Sequence, residues 1–505
     1  MDNAAGDLSL AELIRLRANT SPNHPYIEDA RSTRLIDYRG LDARIGDWRS
    51  LFEALRLVPG SPVLVAVSDP IAFAVAHLAA ISSGMRAVPL DPSLPLGEPQ
   101  RTSDLIGGAA LVVVDTELSA ERYSGEVALV DVATGRPVHP LFDPRPMPET
   151  GSSDVSDVST GSAVMFTSGS TGVPKGVELP ERQLLFVAGQ IAANNQLTTG
   201  DRGFNSLPLF HVNAQVVGLL ATLLAGATVV VDSSFHRTGF WELLAERRIT
   251  WLNAVPAILA VLTRDGAPVP DLGLRFIRSA SAPLPDAVRE SLSGIPLVVS
   301  WGMTEGASQI AATAPGDRSH PGSVGLPLGS EIRVRAEDGT DTPVDEIGVL
   351  WIRGPGIVSS YLFGRAPERF DSDGWLNTAD LGRIDADGYV YLHGRADDVI
   401  NRGGEKVYPA EVEEVLLGDA RVLEAVVVAK PDDVLGAVPK AYVIPVREMS
   451  VIAADLVASL QSRCDAELPR FKRPAQIVVV KDLPRAPTGK VQRSRVRSLA
   501  ETGAM

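Results

Sequence analysis

A disulfide is ruled out by arithmetic, because the 505 residues include one cysteine, Cys464. The fold therefore owes nothing to oxidation, and a reducing cytoplasm is the expected setting. Cys464 sits in a helix-like stretch without a nearby histidine, which argues against a thiol nucleophile. Excess positive charge is missing as well. Lys and Arg total 47 against 62 Asp and Glu, a formal net charge of −15. That balance excludes general affinity for nucleic acid or an anionic membrane surface, while local basic sites stay open. The first residues, Met1 to Asp7, place acids where a secretory leader is basic, and no apolar core follows, so export is not expected. Long hydrophobic runs are scarce. The most apolar one, Val212 to Val231, is broken by Asn213, Gln215, Gly218, Thr222 and Gly226. It reads as a buried helix feeding a buried strand, not as a membrane span.

What is present is an ordinary globular composition, 45% hydrophobic and 22% charged, in a chain long enough for two or three domains. Val63 to Val67, the Ala-rich helical stretch Ile71 to Ser83 and Ala87 to Leu90 make a βαβ unit. Similar strands recur at Leu111 to Val114, Ala227 to Val231, Leu274 to Ile277 and Leu297 to Val299, so the fold class is α/β, a doubly wound large domain with ligands at strand carboxyl ends. After about residue 320 the pattern becomes antiparallel, with Asp338-Gly339 and Asp387-Gly388 as turns of a β subdomain. Beyond Asp398 the chain restarts as a small mobile α+β domain of about a hundred residues. The expected division is 1–394, a hinge at 395–398, and 399–505.

The run from Phe166 to Gly176 packs hydroxyls, glycines and one lysine directly after an apolar stretch. Such a loop offers backbone N–H groups, hydroxyls and charge to phosphate. It is not the Walker pattern G-x-x-x-x-G-K-[ST]. Counting from Gly169, Pro174 stands where the second glycine belongs, and Lys175 is followed by Gly176.

Further polar or glycine-rich clusters fall where strands end or turns are due: Pro208 to Asn213, Ser279 to Pro283, Trp301 to Glu305, Gly322 to Pro327, Gly374 to Gly382, Asn401 to Lys406 and Pro484 to Lys490. In this order and spacing they resemble the signature motifs of the adenylate-forming superfamily, which includes acyl-CoA synthetases, adenylation domains of peptide synthetases and firefly luciferases. The resemblance covers nearly the whole chain.

It implies a two-step reaction, in which a carboxylate attacks the α-phosphate of ATP to give acyl-AMP and pyrophosphate, and a thiol then displaces AMP. Thr167, Ser168, Gly169, Ser170, Thr171, Gly172 and Lys175 would hold the outer phosphates. Glu305 would be the Mg²⁺ ligand, and Thr304 would donate to the α-phosphate. Ser281, Ala282, Pro283, Trp301, Gly302 and Met303 would border the nucleotide, with Trp301 stacking on adenine where the family usually has Tyr. Asp380 would accept the ribose hydroxyls, with Arg395 nearby. Lys490 would bridge the acid and the α-phosphate from the small domain. His211, with Val212, Gln215, Val216 and Ala280, marks the acyl pocket, and Ala280 replaces a usual Gly. Arg402, Gly403 and Gly404 would line the thiol's tunnel in a second conformation, swung about Asp397.

The expected co-substrates are ATP and CoA, with Mg²⁺. A carrier-protein thiol in place of CoA, a catalytically silent nucleotide-binding regulator and a luciferase-type oxygenase remain as alternatives. The acyl segments carry no Arg or Lys to pair with a second carboxylate, so a neutral-tailed acid is expected.

Overall fold

A computed structural model describes residues 8–94, 98–116, 126–140, 161–167, 174–264, 269–446, 453–485 and 491–502. Among the described residues the strands form four sheets, of seven, nine, four and five strands.

In the seven-stranded sheet, Pro62–Ala66 pairs in parallel with Arg86–Pro89 and with Leu111–Val114. The crossing helix Pro70–Ser82 starts at Asp69, whose carboxylate accepts the Ala72 N–H, and Pro70 opens the first turn. Ile71 through Ile81 are all buried. A helix apolar all round needs cover on every side, and this one packs against strands of both large sheets, Pro25–Asp29 and Pro62–Ala66. At one edge, Ser162–Thr167 and Lys175–Pro180 pair antiparallel with Thr167 opposite Lys175. Ser168, Gly169, Ser170, Thr171 and Gly172 lie outside the described residues.

The nine-stranded sheet aligns Arg202–Asn205, Thr228–Val231, Trp251–Ala254, Phe276–Ser279 and Leu297–Trp301 in parallel. Its register sets Asn205 beside Asn253 and Asn253 beside Arg278, near the carboxyl ends of three neighbouring strands. Register partners project to the same face. The apolar segment divides as its sequence implies. A π-helix, Ala214–Leu220, runs into the α-helix Ala221–Ala225 and then the strand Thr228–Val231. Single π-turns collect at functional sites. Among the described residues no helix is long and apolar enough to cross a membrane.

A four-stranded antiparallel sheet, Glu331–Arg335, Gly348–Arg353, Leu376–Ile384 and Val390–Arg395, follows, and its register places Asp380 opposite Arg395. The largest hydrophobic core runs from Leu10 to Val390, whereas separate cores take residues from Ile400 to Ala500. Between them lies one short 3₁₀ turn, Ala396–Asp398. The small unit is built on the hairpin Val422–Asp432 and Gly436–Pro445, with helices Pro409–Leu417, Ala453–Glu467 and Arg493–Thr502. Asp398 pairs with Arg493 at 3.3 Å and Arg497 at 3.0 Å, and Arg493 also pairs with Glu413. Cys464 is buried, and burial pushes its thiol up to about 11, which leaves it inert at neutral pH.

Candidate active site

The strand Leu297–Trp301 turns at once into a 3₁₀ helix, Thr304–Gly306. Only glycine fits at position 302, because a Cβ there would come within 1.7 Å of the Ser308 carbonyl oxygen. Ala307 and Ser308 follow with φ of 47° and 90°. Such strained backbone gathers at functional sites.

The turn carries Glu305 inward, where it is 6% exposed. Its Oε1 accepts the Tyr361 hydroxyl at 2.7 Å. Burial first, and the Glu305 charge second, hold that phenol well above its usual range. Tyr361 is thus a donor at any working pH. The Lys175 ammonium stands 5.4 Å from the Tyr361 ring centroid, and Lys175 is the only lysine in the first 405 residues. A cavity of about 480 Å³ opens here, lined by Lys175, Arg365, Arg369, Asn377 and Asp397 among others. Arg365 is anchored on the Pro174 carbonyl at 3.0 Å, and Arg369 on that of Asn377 at 2.7 Å. Its three cations outnumber its two acids, Glu368 and Asp397, which suits a polyanion.

The same turn starts at Trp301, whose indole N–H donates to Asp380 Oδ2 at 2.9 Å. Arg395 donates to Asp380 Oδ1 at 2.8 Å and to the Thr378 carbonyl at 3.1 Å. Asp380 is preceded by Ala379 in left-handed conformation, φ 58°, and its N–H donates to Thr378 Oγ1 at 3.0 Å. Trp301 lacks the phenolic hydroxyl of the family's usual Tyr. The structure shows that the indole supplies a donor of its own, aimed at Asp380.

Of the acyl-pocket residues, Val212, Gln215 and Val216 are buried around the start of the π-helix, and Ala280 is buried at the end of Phe276–Ser279. His211 Nε2 has no hydrogen-bond partner among the described residues. Burial pulls this ring down to about 4, against the opposing pull of Asp91, so it is neutral at pH 7. Ser281 follows at φ 77°, with Ser281, Ala282 and Pro283 exposed at the strand end. Arg278, within the strand, is fully buried. Its Nε donates to Gln309 Oε1 at 3.0 Å, and its Nη1 to Asn253 Oδ1 at 3.1 Å and Asn213 Oδ1 at 3.4 Å.

The thiol-tunnel candidates are not joined to this site by any hydrogen bond or ion pair among the described residues. Gly403 and Gly404, at φ 62° and 97°, form the turn between Ile400–Arg402 and Glu405–Val407, a two-residue hairpin loop that demands positive φ. Arg402 donates to the Phe471 carbonyl at 2.8 Å and to those of Arg470 and Arg473 at 3.2 Å. Lys490 lies outside the described residues. Tyr361, Arg278, Arg365 and Arg369 were missed in the sequence. Tyr361, Arg278 and Arg365 are placed by partners distant in the chain, and Arg369, though anchored eight residues on at Asn377, meets Lys175 only across the folded cavity, which no spacing rule reports.

The family model of the AMP-binding enzymes matches residues 14–362, and that of their C-terminal domain matches residues 411–490. The chain belongs to the adenylate-forming AMP-binding enzymes. This AMP-binding enzyme is 33% identical to the sulfoacetate–CoA ligase of Cupriavidus necator over 97% of each chain. It is 31% identical to an oxalate–CoA ligase of Arabidopsis thaliana, covering 86% of this chain and 87% of the relative. The o-succinylbenzoate CoA synthetase of Bacillus subtilis has been solved with its acyl-adenylate intermediate and also with ATP and magnesium ion. Both structures match the AMP-binding enzyme with a TM-score of 0.81 at 28% identity, over 96% of this chain and 97% and 98% of theirs.

Proposed function

We propose that the corner formed by Lys175, Glu305 and Tyr361 and the pair formed by Asp380 and Arg395 are two ends of one ATP site. The chain is an acyl-CoA ligase. A carboxylate oxygen attacks the α-phosphorus of ATP, the bond to the bridging oxygen breaks, and pyrophosphate leaves; the CoA thiol then attacks the acyl carbon and AMP leaves. Because two anions must meet in the first step, catalysis is mostly positioning and charge stabilisation.

Each residue's task follows from its surroundings. Lys175, with Thr167 and the loop Ser168 to Gly172, takes the outer phosphates, and Arg365 and Arg369 add charge beside them. Each oxygen of Asp380 keeps a second lone pair for a ribose hydroxyl, while Arg395 and Trp301 hold the carboxylate still. Thr304 donates to the α-phosphate, and Lys490 reaches the reacting oxygens from the small domain. His211, neutral, shapes the acyl wall and brings no charge to it.

Mg²⁺ fits Glu305. A single buried carboxylate oriented by a phenol suits a cation that takes one or two carboxylates and fills its shell with phosphate and water. Among the described residues no cluster of three or more His, Cys, Asp and Glu offers a protein-only cage. When bound, the ion would neutralise phosphate charge. For the second step, residues 399–505 turn about Asp397 relative to 1–394 and present Arg402, Gly403 and Gly404 to pantetheine.

The single turn from Trp301 to Glu305 carries this reading, since it delivers one side chain to Asp380 and the other to Tyr361. Acid-dependent exchange of labelled pyrophosphate into ATP without CoA, and thioester formation only with CoA, test it. Exchange indifferent to Glu305→Gln would overturn the site, and a requirement for a carrier protein would overturn the acceptor.

A further inference from the structure

We infer that Arg278 receives a second anionic group of the acid, so that this ligase activates acids bearing a carboxylate or sulfonate besides the carboxylate it adenylates. This rests on the ligase reading above and narrows its substrate class.

Arg278 is 0% exposed, and among the described residues no carboxylate pairs with it. Its partners Asn213, Asn253 and Gln309 are all neutral amides. Moving a guanidinium out of water is costly unless an opposite charge comes with it. Burial pulls its pKa down to about 9, which still leaves it charged at neutral pH. Donors here also outnumber acceptors. Among the described residues Arg278 Nη2 and Gln309 Nε2 are both buried without an acceptor, and neither is reached by solvent. Native interiors rarely leave such donors unmet. What this cluster lacks is negative charge.

Its position supplies the rest. Asn205, Asn253 and Arg278 lie side by side at the carboxyl ends of parallel strands, where ligands of open α/β sheets bind. Arg278 is two residues before Ala280. It is bonded to Asn213, two residues after His211, and to Gln309, four residues after Glu305. The guanidinium is therefore held between the acyl wall and the catalytic turn. A purely structural arginine, cross-linking strand ends, accounts for the bonds from Nε and Nη1. It leaves the unmet donors on Nη2 and Gln309 without a reason. A carboxylate or sulfonate, accepting from Arg278 Nη2 with one oxygen and from Gln309 Nε2 with another, answers both. The sequence pointed instead to a neutral tail, because Arg278 lies inside an apolar strand and not in the segments read as the pocket.

The test compares kcat/KM for pyrophosphate exchange by the wild-type enzyme on acids matched in size: succinate against butyrate, malonate and sulfoacetate against propionate. A site built around a buried polar partner should favour the second anion by at least ~100-fold, and the malonate and sulfoacetate arms separate carboxylate from sulfonate. Arg278→Gln should bring the ratio below ~10-fold, with a thermal shift by ATP as the check of folding. The wild-type ratio needs no variant and decides alone if that protein does not fold. Butyrate and propionate used as well as their dianionic counterparts would overturn this inference and leave the ligase intact. No exchange with any acid would overturn both.

Discussion

Tyr361→Phe removes one oxygen from the enzyme and should change its demand for magnesium. The hydroxyl donates to Glu305 Oε1 at 2.7 Å, with Tyr361 2% and Glu305 6% exposed, so no bulk water steps in when it is gone. A hydrogen bond to a charged acceptor is worth about 1.5–3 kcal/mol, which is roughly 10- to 150-fold in an equilibrium constant. Partners one step behind a metal ligand typically carry about 10- to 100-fold in metal affinity, and the two scales agree. The Mg²⁺ concentration for half-maximal pyrophosphate exchange should therefore rise ~10- to 100-fold. The rate at saturating Mg²⁺ should largely recover, because the ring facing Lys175 remains and no atom touching substrate is lost. Transfer from supplied acyl-AMP to CoA should not change. An unaltered Mg²⁺ midpoint would refute Glu305 as the ion's holder. A lowered ceiling at saturating Mg²⁺ would mean that the phenol itself contacts the nucleotide.

Four further outcomes are expected. Trp301→Phe keeps an aromatic face but deletes the N–H to Asp380, so KM for ATP should rise by about 10-fold, the low end for a bond to a charged acceptor; an unchanged KM would show that Asp380 needs no such brace. Gly302→Ala forces a methyl against the Ser308 carbonyl and should cost about 3 kcal/mol in urea unfolding, whereas a loss under ~1 kcal/mol would show that the turn can relax. Lys490→Ala should nearly abolish acyl-AMP formation while supplied acyl-AMP is still passed to CoA, and equal loss in both steps would dismiss its role. His77, fully buried, is held by burial at about 4 against 6.5 in the open chain. The unfolded state therefore binds its proton first, and the stability His77 contributes is complete above pH 6.5 and falls away towards pH 4, by about 3 kcal/mol. Urea midpoints of His77→Leu should decline less steeply over that window, and parallel curves would count against it.

The sequence is most readable where structure is local. Strand Leu111–Val114 and helix Pro70–Ser82 declare themselves through β-branched runs and through an Asp-Pro start, and the segment from Val212 to Val231 through the glycine at which it divides. The residues proposed for the nucleotide declare themselves through clusters at strand ends, and among them Asp380 bonds Arg395 while the turn from Trp301 to Glu305 joins Glu305 to that pair. What it hides is created by register and by packing between remote segments. Tyr361 looks like any aromatic in a loop until the fold brings it to Glu305, 56 residues back. Arg278 resembles an interruption in an apolar strand until the sheet sets Asn253 beside it. Gly403 and Gly404, expected to line the thiol's tunnel, make a tight hairpin turn in this structure, and the two roles can coexist.

The ion pairs at Asp398 have a consequence for biosynthesis. This acid, one residue past the proposed pivot, finds Arg497 99 residues later in the chain. At roughly 5–20 residues per second on the ribosome, the junction waits about 5–20 s for its counter-charge. During that interval the large domain has all its own sequence, and the base of the emerging small domain is held by earlier contacts, such as the pair of Lys406 with Glu337. The proposed lever between the two half-reactions thus gains its clamp at Asp398 only once helix Arg493–Thr502 has been made, and a chain stopped before that helix would keep the Glu337 pair but not that clamp.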